Sequence, residues 1–314
     1  MGINSCHYQP INFKFGRTSV IDNYRQSMRG NKFSFNKVDS DTFVSTASEK
    51  TFEMGELERL FPNGEINKIY NNIVKEYGLE KPPKLKLISN SNSDDYASSF
   101  QISNAIDLNL DNLVSKNMYK FKIKQAGKEF YSYDNDQNRI VIIKTDDKSV
   151  INSITEYNKS LGADECLAEH LTDDDKRKLI IFTLAHELEH CYQYQIIRHT
   201  EGLDNFKMIE THLLNYPNKP KLNMIDEKVL LYELRKQYFS NFSGEDFDKI
   251  YSKTSEEGQK AIEWYNAGVY YTDYKSDYNK YKLNPLELDA NNRAHQYLTT
   301  HYGELDGLVE NVLQ

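Results

Sequence analysis

Cysteine is scarce in this chain: Cys6, Cys166 and Cys191 are the whole complement of 314 residues. Three thiols make no paired framework, which argues against a disulfide-built secreted scaffold and makes a reducing compartment the default. No apolar run approaches the roughly 20 residues that a membrane-spanning helix needs, so no membrane span is expected. Basic clusters are missing as well. A formal net charge of −8 with no long Lys/Arg run argues against general nucleic-acid binding. The start, Met1-Gly2-Ile3-Asn4-Ser5-Cys6, lacks the apolar core of a signal peptide. Gly2 fits a myristoylation start, but Cys6 stands where that signal has Ser or Thr. Cytoplasmic location is the default expectation, with non-classical export as the alternative.

What is present divides the chain. Residues 1–50 are rich in Asn, Ser and Lys with isolated aromatics and no sustained period, which predicts a disordered or loosely attached leader. Residues 51–314 form the expected folded domain: 51–199 hold a sheet and a long helix, and 200–314 are mostly helical. Ile66, Ile69, Tyr70, Ile73, Val74 and Tyr77 follow the i, i+3, i+4, i+7 rule. They predict a helix with Asn63 as its N-cap and Gly78 as its end, ahead of Pro82 and Pro83. Short apolar or alternating runs at 85–88, 104–110, 120–124, 130–133 and 140–143 predict a small mixed sheet of four or five strands. Beyond His199, helices are expected near 204–214, 226–240, 244–252, 255–281 and 285–301. In the fourth of these, Tyr270, Tyr274, Tyr278 and Tyr281 make a stripe at helical spacing. Such a stripe is usually packing, although one phenol could reach a reaction centre.

The chemistry gathers at Thr183-Leu184-Ala185-His186-Glu187-Leu188-Glu189-His190. His186 and His190 are four residues apart, so a helix stacks both imidazoles on one face. Two neutral imidazoles on one rigid helix supply half of a tetrahedral zinc site. Glu187 lies about 60° round the helix from His190, where a carboxylate can flank the metal as general base without ligating it. Thr172 with Asp175 has capping-box spacing, and Asp173, Asp174 and Asp175 suit the positive end of the helix dipole. Leu179 to Phe182, with Leu184 and Ala185, make the approach almost wholly apolar, which predicts a buried helix.

This H-E-x-x-H segment resembles the active-site helix of the zincin metallopeptidases. The metzincin subgroup does not fit, because His199 falls three residues too late for its third histidine. A gluzincin-like third ligand is then expected. Glu287 lies in Asn284-Pro285-Leu286-Glu287-Leu288-Asp289-Ala290, similar to the third-ligand segment of many bacterial and phage zincins. Asn284 can cap the helix, Pro285 suits its first position, and Ala290 and Ala294 let it approach closely. Asp289 points to nearly the opposite side. Glu210 competes: it follows His190 by 20 residues, a thermolysin-like spacing, but lacks the companion residues of that pattern. His295 is a further alternative.

The resemblance implies an α+β, zincin-like fold and a zinc metallopeptidase acting on a protein or peptide substrate. It implies zinc on His186, His190 and Glu287, with Glu187 as the catalytic base. It also implies an edge strand that pairs with the substrate, for which 104–110 is nominated; the plain alternative is an ordinary half-exposed strand. His295, His301 and the tyrosines are candidates to stabilise the oxyanion. A zinc-holding binding protein without turnover and a metal-free helical interaction protein are the alternatives.

Overall fold

A computed structural model describes residues 52–89, 96–131, 133–134, 139–140, 142–160, 162–215, 224–242, 249–272 and 277–303. The expected leader, 1–50, lies outside them. Helix α1 (Phe52–Leu60) leads through a 3-10 turn (Pro62–Gly64) into α2 (Glu65–Tyr77). Asn63 does not cap α2. It sits inside the 3-10 turn at φ 56°, and Gly64 occupies the N-cap position without a side-chain bond. Gly78 ends the helix in the left-handed region at φ 69°, a conformation that costs glycine little.

The strands form separate sheets, where one was expected. Strands β1 (Lys84–Ile88), β2 (Ala97–Phe100) and β3 (Ala105–Asn109) make a mixed sheet in the order β1-β3-β2. Strand β3 runs parallel to β1 and antiparallel to β2. This corrects the nomination of 104–110 as a substrate-pairing edge. Both edges of β3 are already hydrogen-bonded, and Ile106 and Leu108 are fully buried. Its alternation reflects a buried central strand with Asp107 partly exposed, not a half-open edge.

After a short helix α3 (Leu110–Leu113) comes β4 (Met118–Gln125), the centre of an antiparallel sheet with β5 (Lys128–Tyr131). A two-stranded ribbon, β6 (Tyr133–Asp134) with β7 (Arg139–Ile140), precedes β8 (Ile142–Lys144), which pairs with β4. Helix α4 (Lys148–Ser160) then brings β9 (Glu165–His170) back along β4.

Helix α5 (Asp173–Arg198) is the long motif helix. Thr172 caps it: its hydroxyl accepts from the Asp175 amide at 3.1 Å, and the Asp175 carboxylate accepts from the Thr172 amide at 2.9 Å. Lys120 on β4 donates to the same buried carboxylate at 3.0 Å, and Arg177 pairs with Glu65 of α2 at 2.7 Å. These contacts fix the start of α5 against the sheet and α2.

The C-terminal half is helical: α6 (Asn205–Asn215), α7 (Met224–Phe242), α8 (Glu256–Val269), α9 (Tyr278–Lys282) and α10 (Pro285–Tyr302). The expected helix at 255–281 is broken. The chain leaves it at Tyr270, and aromatic and β-branched residues from Val269 to Thr272 are weak helix formers. The expected helix at 244–252 does not form over its described part: Tyr251 makes an isolated bridge with Thr200, and 243–248 lie outside the described residues.

Two apolar clusters flank the motif helix. Leu184 and Leu188 join α2, the mixed sheet and the Ala294–Leu298 side of α10. Tyr194 and Ile197 join Trp264, Tyr271, Tyr281 and Leu286. His186 and His190 fall between the two. No described helix is long and apolar enough to cross a membrane.

Candidate metal centre

Among the described residues, one cluster has donors arranged to hold a metal: His186, His190 and Glu287. The histidines project from adjacent turns of α5. Glu287 arrives from α10, whose start is set by Asn284, which accepts from the Leu286 amide at 2.9 Å, and by Pro285 in its first turn. Ala290 and Ala294 on α10 are fully buried, so no large side chain holds the two helices apart.

The spacing of the donors fits a metal. His186 Nε2 and His190 Nε2 are 3.0 Å apart, Glu287 Oε2 is 3.5 Å from His186, and Glu287 Oε1 is 3.6 Å from His190. Bonds of about 2.0–2.1 Å in a tetrahedron place donors roughly 3.3 Å apart. Neutral imidazoles and a carboxylate also suit a borderline-soft divalent ion. The residues therefore fit a metal, and the set alone does not single out zinc.

The orientation of His190 is built in. Gln193 donates its amide N–H to the Leu286 carbonyl at 2.9 Å, which leaves its oxygen 2.9 Å from His190 Nδ1. That oxygen can only accept, so Nδ1 keeps its proton and Nε2 is the nitrogen that presents a lone pair to the centre once the ring is neutral. Asn291, one turn beyond Glu287, acts on His186 from the same helix and favours its charged form.

Burial and charge divide the two rings. Burial lowers His186 to about 4, against the pull of Glu287. Burial also disfavours a charged His190, but Glu287 overrides it and raises that ring to about 9, with Glu187 adding to the effect. Glu287 is fully buried, yet the two imidazoles hold its carboxyl well below the usual range. Without a metal, one proton on His190 thus balances the Glu287 charge. Glu187 is fully buried on the turn between the two histidines.

The other candidates lie elsewhere. Glu210 pairs with Lys207 of its own helix at 2.8 Å and is outside the cluster. His295 shares a hydrogen bond with Thr299, and His301 faces Glu76 at 2.9 Å. Asp289 accepts from Trp264 at 2.7 Å and from Lys260 at 2.8 Å. Tyr270 is 79% exposed. Tyr274 and the Tyr278 side chain fall outside the described residues, and Tyr281 is a buried ring against Tyr271. Cys191 is a partly buried packing residue, and burial pushes its thiol up.

Sequence reasoning missed Tyr271, whose hydroxyl donates to Glu287 Oε1 at 2.8 Å. It also missed the pair of buried Glu189 with half-buried Arg293 at 2.6 Å, which ties α5 to α10 beside the site. Gln193 could have been found, since it lies one turn after His190. Tyr271 could not, because its position depends on the helix breaking at Tyr270.

Compared with protein-family models, curated proteins and solved structures, the chain matches none.

Proposed function

We propose that this chain is a zinc-dependent metallopeptidase of the zincin kind, gluzincin-like in its ligand set, hydrolysing peptide bonds of a protein or peptide. The observation that carries the reading is the His186, His190 and Glu287 donor triangle with Glu187 buried on the turn between the histidines. A small mixed sheet ahead of the motif helix, and a later helix supplying the third donor, support the zincin-like fold. When bound, zinc supplies Lewis acidity, which acidifies water and polarises a carbonyl oxygen. His186 and His190 present lone pairs from one rigid helix, and Glu287 supplies the negative charge. Glu187 takes a proton from water and returns it to the leaving amine. Gln193 keeps His190 in the tautomer that ligation needs.

A second reading has an observation in its favour. His186, Glu187 and Glu287 are fully buried and His190 is 2% exposed, so the centre is closed to a peptide in this conformation. A metal-holding binding protein without turnover would look the same. Digestion of denatured proteins by the full chain loaded with zinc separates the two. Glu187→Gln keeps the shape and removes the base, so it should retain the metal and lose at least about a hundredfold in rate. Equal cleavage by wild type and variant would overturn the role of Glu187. A fully loaded wild type that cleaves nothing would support the binding protein.

A further inference from the structure

We propose that Tyr271 is a positioning residue for the metal centre: its phenol holds the Glu287 carboxylate in place and thereby sets metal affinity and coordination geometry. This rests on reading His186, His190 and Glu287 as the zinc site. A carboxylate only accepts hydrogen bonds, so the 2.8 Å contact has Tyr271 donating to Oε1. The two carboxylate oxygens are not equivalent. Oε1 faces His190 and takes the phenol, whereas Oε2 faces His186. A donor on one oxygen removes the freedom of the carboxylate to turn about its last bond, the freedom that a long acidic side chain most easily loses precision through.

Tyr271 is itself held. Its ring meets Tyr281 edge-on at 6.2 Å and His212 edge-on at 5.7 Å, and it is 8% exposed. Carboxylate and phenol also ride on one connected unit. Asn284, which caps the helix bearing Glu287, donates to the Ala267 carbonyl at 3.2 Å in the last turn of α8, just before the chain turns out to Tyr271. Breaking α8 at Tyr270 is what sends the next side chain to the ligand. A continued helix would have offered Tyr270, Tyr274 and Tyr278 as a stripe instead.

The test is metal binding by the full chain, read by competition with a chelator for Zn²⁺ and by the visible spectrum of the Co²⁺-loaded protein. Tyr271→Phe removes one oxygen atom and keeps the ring. Trp264→Phe is the control: it removes the 2.7 Å hydrogen bond to Asp289 across the same pair of helices without touching a donor. The expected result is a tenfold to hundredfold weaker Zn²⁺ affinity and an altered Co²⁺ spectrum for Tyr271→Phe, with neither change in Trp264→Phe. Metal-free melting curves of both variants check that each is folded. A Tyr271→Phe protein with wild-type affinity and spectrum overturns the proposal, and so does an equal loss in the control, since the role would then be packing alone. Wild-type protein that takes up neither metal refutes the zinc site itself, a distinct outcome.

Discussion

Gln193 determines which nitrogen of His190 faces Glu287. Its oxygen takes the Nδ1 proton at 2.9 Å because its own N–H is committed to the Leu286 carbonyl. One side chain thereby fixes a ring on α5 and touches the helix that brings the third donor. Gln193→Leu should fold, because the position is fully buried and leucine is of similar size. Its Zn²⁺ affinity should drop by about 10- to 100-fold, as is typical when the partner of a ligating histidine is lost. Chelator competition reads the change, and an unaltered affinity would show that the ring needs no such support.

Glu287 and Glu210 separate cleanly by their surroundings. Glu287→Ala should abolish stoichiometric metal uptake, because it removes the only anionic donor of the triangle. Glu210→Ala breaks an ion pair with an exposed lysine, of a kind that contributes little to stability, and should leave metal uptake unchanged. Elemental analysis of both variants checks the pair. Loss of metal on replacing Glu210 would reverse the assignment.

The features legible in the sequence were local. A spacing of four put His186 and His190 on one face, Thr172 and Asp175 announced the start of the motif helix, and Asn284-Pro285 marked the start of the helix carrying Glu287. Non-local relations were not legible. The run at 104–110 reads as a possible edge because alternation cannot reveal that β1 and β2 occupy both of its sides. Asn63 reads as a cap, but the chain turns through it in a left-handed conformation and leaves Gly64 at the helix start. The tyrosine stripe assumed an unbroken helix. Its end at Tyr270 exposes the expected first member and buries Tyr271, which faces Glu287 across tertiary structure.

Metal-free protein should lose stability as pH rises from about 6.5 to about 9. His190 is raised from 6.5 to about 9 in the folded chain, so the folded state binds the proton more tightly than the unfolded one. That contribution is complete below 6.5 and disappears as pH passes the folded value, amounting to roughly 3 kcal/mol across the window. Melting in the presence of a chelator should follow this course. Bound zinc would displace the proton and remove the His190 share of the decline, and Glu287→Gln should remove the same share by taking away the charge that raises His190; what remains is the share of Glu189, whose carboxyl burial raises to about 8. A metal-free melting point that is constant or rises between pH 6.5 and 9 would contradict the charge pattern of the site.

The same proton makes metal uptake pH-dependent. At pH 7 binding should release about one proton per chain, because His190 is charged and His186 is not. Calorimetry of zinc binding in two buffers of different ionisation heat measures that number, and zero release would show that His190 is neutral before the metal arrives.

The most direct measurement is the metal content of the purified full chain. Elemental analysis or native mass spectrometry, after desalting and again after adding zinc, should find about one zinc per chain, as a buried triangle of three protein donors implies. The expected metal is lost in His186→Ala and in Glu287→Ala. Wild-type protein that carries no transition metal and takes up none from added zinc would contradict the metal centre, and the peptidase reading with it.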